Sequence, residues 1–293
     1  MQITLLGTGC PQCDPDRLGP ASLVRAGERH ILVDVGSGAT QRLVSAGSSG
    51  RRLDAVLLTH LHSDHIVDLF QLVISSWHQG RAMPQRIFGP EGTERFTTGL
   101  MALWRTELDQ RIAHEKRPST KALELEVAEI DEGEIFVLDD LRVRAIRVEH
   151  APVREAFGFV FETEQHRAVF SGDTAPCPAV AEAACGADLL VHECFIHGAM
   201  KPEPGVRTQE GIDNVERYHT VATDVGRIAA EAKVRALMLN HFVPTRFDRE
   251  AVLAEVRQHY RGPVLLGEDL MRIDLATGIV GHGNARIALA QGG

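Results

Sequence analysis

The sequence predicts an α/β fold, a four-layer αββα sandwich with a polar site along one edge, and three observations predict it. Short apolar runs of strand character alternate with helical stretches, and the chain reads as two halves that each mix the two. Four of the apolar runs lead into His or Asp residues. With 44% apolar residues in 293, the chain can bury one large core, and a single layered domain spanning 1–293 is expected, without an internal boundary or a repeat.

Strands are predicted near 2–6, 22–26, 30–35, 53–58, 86–88, 135–138, 141–148, 157–162, 167–171, 188–191, 235–240 and 264–266, and helices near 39–46, 65–79, 92–104, 177–184, 220–232 and 248–260. Met1 to Leu6 reads as a first strand and not a secretion signal, having no basic start and no cleavage region. Gly47-Ser48-Ser49-Gly50 is a turn, and Gln291-Gly292-Gly293 a loose end. Val56-Leu57-Leu58 is too short and too β-like to continue as a helix, so the polar residues after it begin where the chain leaves a sheet. Leu141 to Val148 alternates in period two, and Phe161 to Arg167 reads as a hairpin turn. No apolar run approaches the roughly 20 residues of a spanning helix. Five scattered cysteines, Cys10, Cys13, Cys177, Cys185 and Cys194, argue against a disulfide framework, so free thiols and a cytoplasmic location are expected. Cys10-Pro11-Gln12-Cys13 has the spacing of a redox or zinc pair but lacks a second pair.

The chemistry centres on Thr59-His60-Leu61-His62-Ser63-Asp64-His65, which packs four potential metal ligands into six residues at a strand end. Imidazole and carboxylate without thiolate suit a borderline divalent cation, zinc by default, with manganese and iron also fitting. Further candidates follow other apolar runs: His150 after Leu141–Val148, Asp173 after Ala168-Val169-Phe170, and His241 after Ala236–Leu239. Loops at one edge of a sheet can bring such residues to one point. Ser63 is no nucleophile, because metal-bound neighbours leave it no base.

His-x-His-x-Asp-His followed by single His, Asp and His residues resembles the metallo-β-lactamase superfamily over nearly the whole chain. The resemblance implies that fold's αββα sandwich and two metal ions per chain. By similarity His60, His62 and His150 would bind one, Asp64, His65 and His241 the other, and Asp173 would bridge both. Within the superfamily, Tyr218-His219-Thr220 before an Ala-rich helix, Val191-His192-Glu193, Leu5-Leu6-Gly7-Thr8-Gly9 and Val33 to Thr40 resemble the ribonuclease Z branch. That likeness implies that His219 lies beside the metals, held by Glu193, that Asp34 supports the site without binding metal, and that the protein is a homodimer. The other reading of His219 is a cap on the helix beginning near Thr223.

The chain departs from the tRNA-processing members at one place. Their long tRNA-gripping arm corresponds here to Phe161 to Arg167, too short for an arm, and Asp14 to Gly19 has one Arg against two Asp. A formal charge of −9, from 31 basic against 40 acidic residues, disfavours a polyanion unless a local basic face overcomes it, and Arg105 to Arg117 reads as a solvated helix face. The expected function is therefore a binuclear zinc hydrolase of a small-molecule ester or cyclic ester or amide (phosphodiester, sulfate ester, lactone or lactam), resembling the arylsulfatase-like and phosphodiesterase-like members of that branch, with nucleic acid disfavoured and no membrane expected as partner. The alternative is a tRNA 3′-processing endoribonuclease. In either case a hydroxide nucleophile is expected, with Asp64 orienting the water and accepting its proton and His219 stabilising charge or assisting the leaving group. Phe195, Ile196, His197, Met200 and Lys201 to Gly205 form a candidate lid. Phe242 and Trp77 read as core before pocket wall, and His78, His114, His192 and His259 as surface or ordinary polar positions. A flavodiiron-type redox enzyme would carry Glu at position 62, a persulfide or thioester enzyme would lack the His219 element, and a silent scaffold would have lost ligands.

Overall fold

The computed structural model describes residues 1–289. The first half runs β1 (Gln2–Gly7), β2 (Ala21–Ala26), β3 (Arg29–Val33), α1 (Ala39–Ser45), β4 (Ala55–Leu57), α2 (Ser63–Ile66), α3 (Leu69–His78), β5 (Gln85–Gly89), α4 (Thr93–Leu103), α5 (Arg105–Glu115) and β6 (Leu125–Glu129). The second runs β7 (Gly133–Leu138), β8 (Leu141–Arg147), β9 (Phe157–Glu162), β10 (Arg167–Phe170), α6 (Pro178–Ala183), β11 (Leu189–Phe195), α7 (Gln209–Glu216), α8 (Ala222–Glu231), β12 (Leu237–Val243), α9 (Arg249–Val256) and β13 (Val264–Leu266). The chain then returns to the first sheet as β14 (Arg272–Asp274), β15 (Ile279–His282) and β16 (Ala285–Ala288). Gln291 to Gly293 lie outside the described residues.

Strand alternation builds the layers. The sheets are ordered β16-β15-β14-β1-β2-β3-β4-β5-β6 and β13-β12-β11-β10-β9-β8-β7. Ile3, Ile31 and Leu57 from the first meet Phe159, Phe161, Phe170 and Met238 from the second in a shared apolar layer. Their strand neighbours point outward: Leu32, Val56 and Leu58 pack on Leu43, Leu69 and Leu72 of α1 and α3. On the far side Val160, Val169 and Leu190 pack on Val180 of α6, Val225 and Ile228 of α8 and Val252 of α9. Period-two side chains thus give helix, sheet, sheet, helix, which is the metallo-β-lactamase αββα architecture.

Several elements differ from the sequence expectation for local reasons. The helix expected over 65–79 is two, α2 and α3, because Asp68 leaves the helical ladder: its N–H donates to Val35 O at 3.0 Å, and its carboxylate accepts from Thr40 N at 2.7 Å. β6 and β14 to β16 are short or largely exposed, so they lack the apolar alternation that marks the central strands. α7, within the stretch between the Glu193 and His219 elements, starts at an N-cap where Thr208 Oγ1 accepts from Gly211 N at 3.0 Å. α5 carries the Arg105–Asp109 and Arg111–Glu115 ion pairs one turn apart, a solvated face. No described helix is long and apolar enough to cross a membrane.

Phe159, fully buried between the sheets, gives a test of this layer. Phe159→Ala is expected to lower unfolding stability by about 3–5 kcal/mol. Urea unfolding measures it, and a loss below 1 kcal/mol would contradict the placement.

Candidate metal centre

Loops at one edge of the two sheets carry the predicted residues. After β4 the chain crosses the sheet edge through His60 and His62, and α2 then holds Asp64 and His65 in its single short turn. Gly36 allows this crossing: a Cβ there would stand 2.5 Å from the Asp64 carbonyl oxygen. His150 follows β8, and Asp173 follows β10 through Gly172, whose φ of +62° places it 2.5 Å from Phe157 O if a Cβ were added. His241 does not follow its strand but sits inside it. Across the β11–β12 pairing Glu193 faces Asn240 and Cys194 faces Phe242, which leaves His241 as the extra residue of a bulge with φ +43°. A bulge re-aims its side chain, and this one turns an imidazole into the site without ending the strand.

The seven side chains form two groups that touch. Ligand atoms of His60, His62 and His150 lie within 4.8 Å of one another, and so do those of Asp64, His65 and His241. Asp173 Oδ2 stands between the groups, 4.0 Å from His60 Nε2 and 3.3 Å from both His65 Nε2 and His241 Nε2.

A further ring of contacts orients the imidazoles. Asp34, with φ +59°, accepts from His65 Nδ1 at 2.8 Å and from Thr59 N and Oγ1. The carbonyl of Tyr218 accepts from His150 Nδ1 at 2.9 Å. Glu193 Oε1 accepts from His219 Nδ1 at 2.9 Å and from the N–H groups of Thr174 and Thr220 at 3.1 Å each. His219 therefore faces the centre, and it makes no side-chain cap on α8, whose N-cap is Val221. Fixing one ring nitrogen leaves the other to face the shared space.

Burial drives the His60 pKa well below the ordinary range and lowers His62 and His150 as well, which favours the neutral, lone-pair-bearing ring in all three. Burial acts the same way on His65, but Asp173 and Asp34 outweigh it and raise that group well above its usual value. For Asp173 burial raises the pKa, yet His241 and His65 outweigh this and hold the carboxyl well below its usual range. Asp64 is lowered likewise, its burial overcome by the hydrogen bond to His241 and the charge of His65.

The donor set fits divalent cations. His60 Nε2 is buried with no hydrogen-bond partner among the described residues. Leaving such an atom unpaired is costly, and a cation at this point would satisfy it. Five imidazoles and two carboxylates, with no thiolate in either group, suit zinc, with manganese or iron also compatible.

A cleft of about 400 Å³ opens over the centre, lined by Cys10, Gln12, His62, Asp64, Tyr218 and Pro244 among others. Burial pushes the Cys10 thiol up to about 11, so at neutral pH it is an uncharged wall residue; all five cysteines are unpaired. Of the expected lid, Phe195 and Ile196 are buried, His197 pairs with Glu216, and Met200 lines the cleft. Phe242 is core, beneath the Arg17 guanidinium at 4.6 Å, and Trp77 is core with its indole donating to Ser119 O. His192 is fully buried and is no surface position, its Nδ1 donating to Glu193 O. Sequence reasoning missed Tyr218, whose contribution is a backbone carbonyl that no side-chain pattern reports.

Comparison with known proteins follows the same lines. The family model described as anti-Pycsar protein Apyc1 matches residues 1–203. Ribonuclease Z of Mycobacterium marinum is 36% identical over 282 residues, covering 94% of this chain and 99% of that protein. Ribonuclease Z of Mycobacterium bovis is 36% identical over 280 residues, with 94% and 98% covered. Among solved structures, the metallo-β-lactamase fold protein YhfI of Bacillus subtilis superposes with a TM-score of 0.73 at 19% identity, covering 92% and 98%. The short form of human tRNase Z gives 0.67 at 24% identity, covering 94% and 99%.

These relatives overturn the small-molecule reading, and with it the expectation that disfavoured nucleic acid as a partner. The missing arm misled. The alignment to the M. marinum protein spans 282 positions against 94% of this 293-residue chain and 99% of the relative, leaving room for only a few inserted residues. A protein named ribonuclease Z therefore matches this chain without a long arm that this chain lacks.

Asp34 gives a test of the site. Asp34→Ala is expected to weaken divalent-metal affinity by about 10–100-fold through loss of His65 orientation, read by competition with a chromophoric chelator. Unchanged affinity would remove His65 from the metal site.

Proposed function

We propose that this chain, which belongs to the ribonuclease Z family of metal-dependent hydrolases and over residues 1–203 matches the anti-Pycsar Apyc1 family, is an endoribonuclease cleaving a phosphodiester near the 3′ end of precursor tRNA. The observation that carries this is 36% identity to ribonuclease Z across 94% of the chain, a span that includes every residue of the centre.

In this reading His60, His62 and His150 would hold one zinc ion and Asp64, His65 and His241 a second, with Asp173 lying between the two groups. When bound, such a pair supplies an activated water and a Lewis-acid seat for phosphoryl oxygens. Two carboxylates among seven donors incompletely neutralise two dications, so the centre presents positive charge even though the chain's formal charge is −9. That local charge is what a phosphodiester meets, and it answers the electrostatic objection to a polyanionic substrate.

The chain's own groups manage the protons. Asp64, in the centre and lining the cleft, orients the attacking water and accepts its proton. His219 gives a proton to the leaving oxygen as the phosphorus–oxygen bond breaks. Burial lowers the pKa of His219, but the charge of Glu193 and its hydrogen bond outweigh this and raise it, which favours the protonated ring that this role uses. Five unpaired cysteines support a reducing, cytoplasmic setting. Exposed Leu103 and Trp104, the latter stacked on Phe70 at 4.3 Å, support a homodimer.

Zinc-loaded protein incubated with a precursor tRNA is expected to release the 3′ trailer at one position, and Asp64→Ala to lower the rate at least about 100-fold. Intact precursor under these conditions would sink the proposal. Glu193→Gln gives a second, sign-specific test. His219 acts protonated, so activity falls as pH rises through its pKa; removing the Glu193 charge lowers that pKa, and the alkaline limb of the rate profile is expected to move to lower pH. An unmoved alkaline limb would deny His219 the acid role.

A further inference from the structure

A second groove, of about 590 Å³, adjoins the cleft over the centre, and the two share His219 and Met200. α7 is the wall between them. Its Ile212 and Val215 pack with Cys10, Phe195 and Val243, and Val215 also lines the cleft over the centre. Gln209, Asp213 and Glu216, at positions i, i+4 and i+7, share one helix face and line the second groove. His219 is only 6% exposed, held through Nδ1 by Glu193, and its remaining nitrogen has no hydrogen-bond partner among the described residues. The groove therefore begins at the group that meets the scissile phosphodiester.

Its lining speaks for a sugar over a phosphate. Asp213 Oδ1 accepts from Gln209 Nε2 at 2.6 Å and Glu216 Oε2 from His197 Nδ1 at 2.8 Å, so one oxygen of each carboxylate is engaged at the groove surface. Each keeps its other oxygen without a hydrogen-bond partner among the described residues. Carboxylates repel phosphate oxygens but accept from hydroxyl groups, and a volume of this size takes a nucleoside. Arg217 lines the same groove, where a phosphate beyond the sugar could meet it.

We infer that this groove is the subsite for one of the two nucleosides flanking the scissile phosphodiester, and that Asp213 and Glu216 select ribose by accepting from its 2′-hydroxyl. The inference rests on the endoribonuclease reading. The 2′-hydroxyl is the group that separates RNA from DNA at a given position, so the groove makes the enzyme sensitive to one sugar.

The test uses the zinc-loaded enzyme and three precursor tRNAs: all-ribose, and two carrying a single 2′-deoxy residue on one or the other side of the scissile bond. For the native enzyme one of the two deoxy substrates is expected to raise KM roughly tenfold with kcat little changed, as loss of a charge-assisted hydrogen bond requires. For Asp213→Asn combined with Glu216→Gln, the all-ribose substrate is expected to show that raised KM and the deoxy substrate no further rise. Equal KM for all three RNAs with the native enzyme overturns the subsite while leaving the endoribonuclease reading intact. A deoxy penalty that persists undiminished in the double variant also overturns it. Failure of the native enzyme to cut any of the RNAs overturns both readings together.

Discussion

Asp173, 3% exposed, lies within 4.0 Å of a nitrogen on each of His60, His65 and His241, and a carboxylate so buried must be matched by positive charge or it would not remain ionised. Much of the site's construction answers to this constraint. The short turn before Asp173, the Asp34 carboxylate on His65 and the bulge in β12 all serve to bring imidazole nitrogens to one carboxylate oxygen. The same convergence leaves His60 Nε2 buried and unpartnered, a state that protein groups alone do not relieve. Bound cations would relieve both demands at once, so the centre is a set of electrostatic requirements as much as a set of candidate ligands.

The fold meets those requirements by placing the groups on elements that cannot move apart. β8 to β12 share a fully buried inter-sheet layer through Phe157, Phe159 and Phe161, and His150, Asp173, Glu193 and His241 lie on these strands or just beyond them. Displacing one ligand would require a strand to slip, and a one-residue slip would reverse its buried face. Rigid strands with loops at one edge explain how residues from positions 60 to 241 come together at one place.

This also explains which parts were legible in the sequence. His60, His62, Asp64 and His65 sit close together after an apolar run, His150 follows a strand with clear alternation and Asp173 a short, continuously apolar one, so each candidate stands at a strand end that local pattern marks. His241 was legible as a residue and not as a geometry, because a bulge leaves no mark in the apolar pattern around it. α7 was illegible for a different reason: Gly211 lowers its helix propensity and only Ile212 among its residues is buried, so neither propensity nor periodicity announced it. The substrate was the largest misreading. Net charge sums over the whole surface, whereas a phosphodiester responds to the local field of the centre; and the short hairpin between β9 and β10 was weighed against an arm that relatives aligned along the full chain do not add.

The claim on which the account depends is that two cations occupy this one centre. Anomalous X-ray scattering at the zinc edge from crystals of the zinc-loaded protein tests it most directly. The account predicts two peaks, one among His60, His62 and His150 and one among Asp64, His65 and His241, with Asp173 between them. A single peak, or peaks elsewhere such as at Cys10 and Cys13, would contradict it.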